Sequence, residues 1–281
     1  MSAKLKVGVL ISGRGSNLQA LIDASRSADY PAEIVLVVSN VADAFGLSRA
    51  KAASIPTAVI DHKKYKTRES FDETVDALLR EAGVGLICLA GFMRIFSDAF
   101  VRKWERRLIN IHPSLLPDFK GTHVHERVIA AGVKLSGCSV HYVTPELDSG
   151  PIIAQSKVPV LPGDTPDALA ERVLEAEHKL YPEALKRVAV DEQLRFAIAN
   201  RRLIGLKYSG SVRVVEPHDY GVQKGVPRLL GYQQSPVRSG WRLFDLAKVE
   251  ACSILAETFA GSRGDAHQRH HNWDTIYARV A

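Results

Sequence analysis

The first 190 residues alternate short apolar runs with longer segments whose apolar side chains recur at helical spacing. The apolar runs, rich in Val, Ile and Leu, are Val7–Ser12, Ile34–Ser39, Thr57–Asp61, Val84–Ala90 and Leu108–His112. The helical segments between them are Leu18–Ala24, Ala44–Ala53, Arg68–Glu81 and Ser97–Trp104. Such alternation is typical of parallel strands that helices cover on both faces. The pattern therefore predicts an α/β fold built on a Rossmann-like, doubly wound, mostly parallel sheet.

The pattern changes along the chain. Two extended stretches, Ser136–Val143 and Ile152–Val158, precede a helix predicted from about Pro166 to Val188. Beyond Asp191 we predict a short helix, Glu192–Asn200, and then short alternating segments separated by Gly, Ser and Pro. These segments are Gly205–Tyr208, Val212–Glu216, Arg228–Tyr232 and Trp241–Leu246. We therefore expect two domains, an α/β domain over 1–190 and a small, mostly-β domain over 191–281.

Composition narrows the function classes. No run of the 281 residues approaches the roughly 20 apolar residues of a membrane helix, and Met1–Val9 leads into a strand-like segment instead of a signal peptide. The three cysteines, Cys88, Cys138 and Cys252, have no metal-type spacing and suit buried thiols in a reducing compartment. A cytoplasmic protein is expected. The formal charge of +6 is compatible with phosphorylated small molecules and does not by itself indicate nucleic-acid binding.

The first apolar run ends in a glycine-containing turn, Gly13-Arg14-Gly15-Ser16-Asn17, followed by a helix. Glycines let a backbone approach an anion closely, and the amides at a helix N-terminus bind phosphate. The third glycine of a dinucleotide motif and the Gly-Lys-Ser/Thr of a P-loop are both missing, which disfavours a dinucleotide or ATP. From the residues alone, a phosphate loop and a plain strand-to-helix turn capped by Ser16 or Asn17 both stay open.

The fifth apolar run ends in Asn110-Ile111-His112-Pro113, and open α/β sheets place ligands at the carboxyl ends of strands. Alternation puts Asn110 and His112 on the same face of the strand, so a carboxamide and an imidazole point into one cleft. Pro113 and Pro117 stiffen the loop that follows. A catalytic pair and a structural histidine are both compatible with this pattern.

A third polar candidate is Asp148, in Glu146-Leu147-Asp148-Ser149-Gly150. A carboxylate beside an imidazole favours its protonated form. The same string also forms ordinary turns, so the sequence alone leaves open whether Asp148 meets His112.

Together these motifs resemble the glycinamide ribonucleotide transformylases (phosphoribosylglycinamide formyltransferases), a family of the folate formyltransferase superfamily. The resemblance runs in order from about Lys6 to Arg187 and rests on five motifs in register. They are Gly13–Asn17, Leu89–Ile95, Asn110–Pro117, Ser139–His141 and Glu146–Gly150. It implies that Asn110, His112 and Asp148 form the active site, that the fold is the formyltransferase fold, and that 10-formyltetrahydrofolate is the co-substrate, with no metal.

The resemblance also implies binding roles. Gly15, Ser16, Asn17 and Glu177 match residues that bind the ribonucleotide, and His141 matches a supporting residue. Positions lining the folate site are matched by Arg68, Met93, Arg94, Ile95 and Phe96, together with Asn110. The expected partners are the small-molecule substrates, with no membrane and no nucleic acid for the first domain, and the expected assembly is a monomer or a homodimer. The loop Asp118–His125 differs from the more common sequence of the family, so the resemblance does not tell which of its side chains contact the ribose or phosphate.

The last 90 or so residues resemble WYL-type domains, small SH3-like barrels, although the Trp-Tyr-Leu triplet is missing. Arg202, Arg213, Arg228 and Arg242 are read either as nucleic-acid contacts or as ordinary solvated arginines. The segment Gly264–His271 has several imidazoles without Cys or ordered spacing and is predicted to be a surface loop, not a metal site.

Two alternatives to the transformylase stay open. One is a formyltetrahydrofolate deformylase, which is disfavoured because that family carries a regulatory domain before the formyl domain and none is expected before Lys6. The other is a regulator that senses folate or nucleotide, which the intact Asn110, His112 and Asp148 disfavour.

Overall fold

The computed structural model describes residues 4–235, 238–264 and 272–281. The chain divides into two compact units. The first unit consists of Lys6–Ser27 and Ala32–Leu185, and the second consists of the described residues of Met1–Leu5, Ala28–Pro31 and Lys186–Ala281. None of the helices in the described part of the chain is long and apolar enough to cross a membrane.

The first unit has seven strands with helices between them. The strands are β1 (Leu5–Ile11), β2 (Ala32–Ser39), β3 (Thr57–Val59), β4 (Leu86–Leu89), β5 (Leu108–His112), β6 (Leu135–Tyr142) and β7 (Ile152–Pro159). The helices are α1 (Ser16–Ser25), α2 (Phe45–Ala52), α3 (Arg68–Glu81), α4 (Asp98–Lys103), α5 (Val124–Ala130) and α6 (Pro166–Ala199).

These seven strands form one sheet in the order β3-β2-β1-β4-β5-β6-β7. The pairs β2/β3, β1/β4 and β4/β5 are parallel, whereas β5/β6 and β6/β7 are antiparallel. The chain order reverses between β1 and β4, and ligands of open α/β sheets bind at such a switch point. The predicted doubly wound, mostly parallel sheet is confirmed, and its antiparallel edge comes from the two late extended stretches.

The core of the first unit explains why these segments are strands. On β1, Val7, Val9, Leu10 and Ile11 are fully buried, as expected for a strand that is covered on both faces. An aromatic row, Phe92, Phe96, Phe100 and Trp104, stacks beside the sheet. The buried Trp104 Nε1–H donates to Asp76 Oδ1 at 2.8 Å, which satisfies the polar end of an otherwise apolar ring.

The second unit is a six-stranded antiparallel sheet packed against the last turns of α6. Its strands are β8 (Arg202–Tyr208), β9 (Ser211–Gln223), β10 (Val226–Ser235), β11 (Gly240–Asp245), β12 (Val249–Thr258) and β13 (Thr275–Arg279). The order is β11-β10-β9-β8-β12, and β13 pairs with β9. Leu194 and Ile198 of α6 join Leu206, Leu229 and Phe244 in its core. The mostly-β character is confirmed, while the WYL-type resemblance stays a prediction.

Several sequence-based helix and strand assignments were wrong. The helices predicted as Pro166–Val188 and Glu192–Asn200 are one helix, α6, so the boundary expected at Asp191 falls inside it. The reason is local, because no Gly or Pro separates the two segments and their apolar spacing continues. Helix α5 and strands β12 and β13 were not predicted at all. In the segment Gly264–His271, positions 265–271 lie outside the described residues.

Candidate active site

The turn between β1 and α1 is held in a shape that only glycine allows. Gly15 precedes α1 with φ of 68°, a left-handed conformation that favours glycine. A Cβ on Gly15 would lie 2.6 Å from the Cα of Gly46 on α2, which is too close. The Gly46 N–H also donates to Gly13 O at 3.0 Å. The turn is therefore clamped by α2 and exposes the start of a helix, as a phosphate loop requires.

Asn17 and Glu177 lie 160 positions apart in the sequence and meet beneath this loop. Asn17 Nδ2 donates to Glu177 Oε2 at 2.7 Å. Burial raises the pKa of Glu177, which is only 6% exposed, and the Asn17 contact lowers it by less. The Tyr181 hydroxyl, one turn further along α6, donates to Leu89 O at 3.0 Å. Because residues four apart share a helix face, this anchor directs Glu177 toward the loop.

A cavity of about 740 Å³ opens over the loop. Its lining contains all four residues that the resemblance assigned to the ribonucleotide, namely Gly15, Ser16, Asn17 and Glu177. Arg14, Asp167 and Glu171 also line it. The cavity thus combines helix N-terminal amides with carboxylates, a lining suited to a molecule with a phosphate at one end and donor groups at the other.

His112 ends β5 with both ring nitrogens directed at protein oxygens. Nε2 lies 3.0 Å from Phe119 O, and since a carbonyl oxygen only accepts, Nε2 carries a hydrogen. Nδ1 lies 3.4 Å from Asp148 Oδ2. The question that the sequence left open, whether Asp148 reaches His112, is answered by this distance.

Asp148 is held in place by its own loop. Its φ is 47°, a left-handed conformation that Asp tolerates better than most residues. The Gly121 N–H donates to Asp148 Oδ2 at 2.9 Å, so the loop after Pro117 fixes the carboxylate. The side chain is 8% exposed and therefore acts on His112 with little screening by water.

His141 on β6 supports the carboxamide of Asn110. Its Nδ1–H donates to Tyr142 O at 2.9 Å, which leaves Nε2 as an acceptor in the neutral ring. Asn110 Nδ2 lies 3.3 Å from that nitrogen and donates one of its two hydrogens. Burial lowers the pKa of His141 and keeps the ring neutral. The second hydrogen of Asn110 Nδ2 stays available for a ligand.

A second cavity of about 710 Å³ contains Asn110, His112, His141 and Asp148 in its lining. Met93, Arg94, Ile95 and Phe96, all assigned to folate by the resemblance, line it as well. Met93 is 75% exposed and Leu147 is 53% exposed, so apolar side chains stand open at its rim. An apolar cavity with a few converging polar groups is typical of a small-molecule site.

Arg68 differs from the other residues assigned to folate. It is exposed at the first position of α3 and is not among the described residues that line the second cavity. Its assignment stays a prediction.

The two cavities share part of their walls. The residues that line both are Gly91, Met93, Ile111, Pro113 and His125. Sequence reasoning missed His125, because it lies on the unpredicted helix α5, and it missed the role of Gly46 in clamping the loop. The one sequence signal for His125 was that the segment Asp118–His125 differs from the more common sequence of the family.

An α/β fold with a clamped phosphate loop at the switch point and an Asn-His-Asp group beside an apolar cavity defines a class of small-molecule enzymes. The chain belongs to the formyl transferase family, whose pattern it matches over residues 5–185.

Named relatives fall in the same family. The chain is 58% identical over 186 residues to the trifunctional purine biosynthetic protein adenosine-3 of Gallus gallus, covering 66% of this chain and 18% of that protein. It is 46% identical over 178 residues to phosphoribosylglycinamide formyltransferase of Escherichia coli, covering 63% of this chain and 84% of that one. The matched region thus spans less than a fifth of the trifunctional relatives.

Solved structures agree with the fold. The crystal structure of phosphoribosylglycinamide formyltransferase from Brucella melitensis is 50% identical, with a TM-score of 0.64 over 66% of this chain and 96% of that chain. The enzyme from Coxiella burnetii, solved in complex with CHES, is 47% identical with a TM-score of 0.64. Seven strands in the order described above therefore form a formyltransferase fold.

Proposed function

We propose that the protein transfers the formyl group of 10-formyltetrahydrofolate to the amine of N1-(5-phosphoribosyl)glycinamide in purine biosynthesis. One observation carries the proposal: two cavities share a wall, one holding the phosphate loop and Glu177, the other holding Asn110, His112 and Asp148. A ribonucleotide in the first cavity and a formylfolate in the second would bring amine and formyl carbon together at that wall.

The proposed chemistry is direct attack of the amine on the formyl carbon. The resulting oxyanion accepts a hydrogen bond from the second hydrogen of Asn110 Nδ2, since His141 takes only the first. His112, charged and paired with Asp148, stabilises the same oxyanion and supplies the proton. Because both nitrogens of His112 face protein oxygens, proton delivery requires one contact to open. The longer one, 3.4 Å to Asp148, is the natural candidate.

The first cavity supports transfer over hydrolysis. A deformylase needs room for water only, whereas about 740 Å³ lined by a phosphate loop suits an acceptor molecule. The buried, free thiols of Cys88, Cys138 and Cys252 support a reducing compartment, and we place the enzyme in the cytoplasm. We keep the monomer or homodimer as the proposed assembly.

An assay with formyl-labelled 10-formyltetrahydrofolate, run with and without the ribonucleotide, tests this function. We expect label in the ribonucleotide only when both substrates are present. Labelled formate released at the same rate without the ribonucleotide would indicate a hydrolase. Tight folate binding without any turnover would indicate a sensor.

A further inference from the structure

His125 is the titratable side chain that lines both cavities. We propose that His125 is a catalytic residue whose Nε2–H donates a hydrogen bond to the formyl oxygen as that oxygen becomes negatively charged. This inference rests on the proposed function, because it places the formyl group at the shared wall. The other shared residues, Gly91, Met93, Ile111 and Pro113, carry no titratable side chain.

The two ring nitrogens of His125 have different surroundings. Nδ1 is buried and has no hydrogen-bond partner among the described residues. Nε2 is not among the buried unpartnered atoms and has no protein partner in the described part of the chain, so it is open to solvent on a residue that lines both cavities. A hydrogen on Nδ1 would be a buried donor without an acceptor, which is costly. The favoured neutral ring therefore carries its hydrogen on Nε2, where a ligand can accept it.

Charges around His125 agree with a neutral ring. Burial lowers the pKa of His125, and His112 on β5 lowers it further, whereas the neighbouring Glu126 raises it by less than burial lowers it. Across the first cavity, α6 presents Asp167, Glu171 and Glu177, and the loop presents Arg14. A neutral donor at a reacting oxygen needs no proton transfer of its own, unlike the charged His112.

The step balances without a proton leaving His125. A bond forms between the amine nitrogen and the formyl carbon, and the carbonyl electron pair moves onto oxygen, where the hydrogen bond from Nε2–H strengthens. The oxyanion then re-forms the carbonyl and the bond to folate N10 breaks. N10 keeps the electron pair and takes a proton from His112, and the amine proton passes to solvent. Donors placed where charge develops stabilise the transition state more than the ground state.

Two substitutions separate a donor at Nε2 from other roles. The amide nitrogen of His125→Gln reaches the position of Nε2, whereas that of His125→Asn reaches only the position of Nδ1. We expect kcat of His125→Asn to fall by about 10²–10³-fold, the usual effect of losing one oxyanion donor. His125→Gln should stay within about tenfold of the wild type, and KM for both substrates should change little in either variant.

His62→Asn is the matched control, since His62 is a half-buried histidine that lines neither cavity and whose Nδ1 lies 3.2 Å from Asn40 Nδ2. Its kcat should lie within about threefold of the wild type. Equal losses in His125→Gln and His125→Asn would overturn the donor role and indicate a proton acceptor, which neither amide can replace. Wild-type turnover in His125→Asn would overturn any catalytic role. Absence of formyl transfer by the wild type would instead defeat the proposed function itself.

Discussion

Two buried carboxylates, Asp148 in the first unit and Asp219 in the second, are held in opposite ways. In the first unit, Asp148 accepts one backbone hydrogen bond and faces two histidines at 3.4 and 3.6 Å, beyond strong contact. In the second unit, Asp219 is fully buried and Arg279 grips it with two hydrogen bonds of 3.1 and 2.9 Å. Asp148 can therefore still accept a hydrogen bond from a ligand, whereas the oxygens of Asp219 are already bound by Arg279.

A second pair repeats this contrast. Glu177 accepts a side-chain hydrogen bond from Asn17 and lines a cavity. Glu216 on β9 receives two hydrogen bonds from Arg263, at 2.8 and 2.7 Å, and one from Gln234 at 2.8 Å. Loosely held charge at a cavity indicates chemistry, whereas saturated charge inside a sheet indicates structure. The comparison supports placing the proposed reaction in the first unit, and it indicates a structural role for Asp219 and Glu216 in the second.

The arginines of the second unit lead to the same conclusion. The four that the sequence offered as nucleic-acid contacts all donate to acceptors in their own unit. Arg202 donates to Leu255 O, and Arg213 donates to Gln233 while lying over the Tyr208 ring. These contacts favour the structural alternative.

The largest expected effect comes from Asp148→Asn. The amide still accepts from Gly121 but no longer carries the charge that pairs with His112, so kcat should fall by about 10²–10⁴-fold. Steady-state formyl transfer measures it. Asp219→Asn is the matched change in the second unit and should leave kcat within about twofold while lowering the free energy of unfolding. Near-normal turnover in a folded Asp148→Asn protein would contradict the difference in role between Asp148 and Asp219.

The next effect is on stability. Arg279→Ala leaves Asp219 buried without its partner, and the free energy of unfolding in urea should fall by about 2–4 kcal/mol. This is about 1 kcal/mol less than the range for fully buried pairs because the Arg279 side chain is 52% exposed. Replacing both residues together by leucine should restore much of the loss. A change below about 0.5 kcal/mol in Arg279→Ala would show that the pair does not hold β13.

Three buried groups should contribute to the pH dependence of stability, His218 and Glu216 in the second unit and Glu177 in the first. Burial lowers the pKa of His218, so its contribution is full above pH 6.5 and is lost as pH falls through the folded pKa. Arg263 and Gln234 lower the pKa of Glu216, so its contribution is full above pH 4.5 and is also lost on acidification. The raised pKa of Glu177 has the opposite sign, with stability present below pH 4.5 and lost as pH rises.

Unfolding free energies measured from pH 4 to 8 test this difference. His218→Gln should remove the loss of stability that begins below pH 6.5, because glutamine does not titrate. Trp104→Phe removes the tryptophan of the first unit and assigns the remaining fluorescence to Trp241 and Trp273 of the second. Identical pH profiles for wild type and His218→Gln would contradict the assignment.

The smallest effect is expected for Arg242→Ala. This arginine donates to the neighbouring Trp241 O and forms no ion pair with a carboxylate in the described part of the chain. Surface changes of this kind alter stability by less than about 0.5 kcal/mol. Urea unfolding should show no more than that, and kcat should not change. A loss comparable to that of Arg279→Ala would mean that the two arginines do not differ as described.

Much of the first unit follows from its sequence. The first and last residues of β5 and α3 were predicted correctly, because the apolar residues of each recur at a regular spacing that ends sharply. Alternation along β5 also placed Asn110 and His112 on one face. The second unit was harder, since neither β12, VEACSILAET, nor β13, TIYAR, shows a clean alternation of apolar and polar residues.

The parts of the site that escaped prediction depend on distant contacts. Asp148 reaches His112 only because its φ is positive and the Gly121 amide holds it, which no local pattern encodes. Asn17 meets Glu177 because Tyr181 anchors α6 to the end of β4. His125 could not be placed while α5 was unrecognised. The separate short helix expected after Asp191 was wrong because no Gly or Pro stands between Val188 and Glu192, so α6 continues through that segment.

One crossed measurement tests the central claim, that the first unit carries the chemistry and the buried charges of the second are structural. His112→Ala and His218→Ala each remove a buried histidine that lies 3.4 Å from a carboxylate oxygen. Both variants are assayed for formyl transfer and for thermal unfolding. We expect His112→Ala to lose about 10²–10⁴-fold in kcat with a nearly unchanged Tm, and His218→Ala to lose Tm with kcat within about twofold. Wild-type kcat in folded His112→Ala, or a comparable loss of kcat in folded His218→Ala, would contradict the claim.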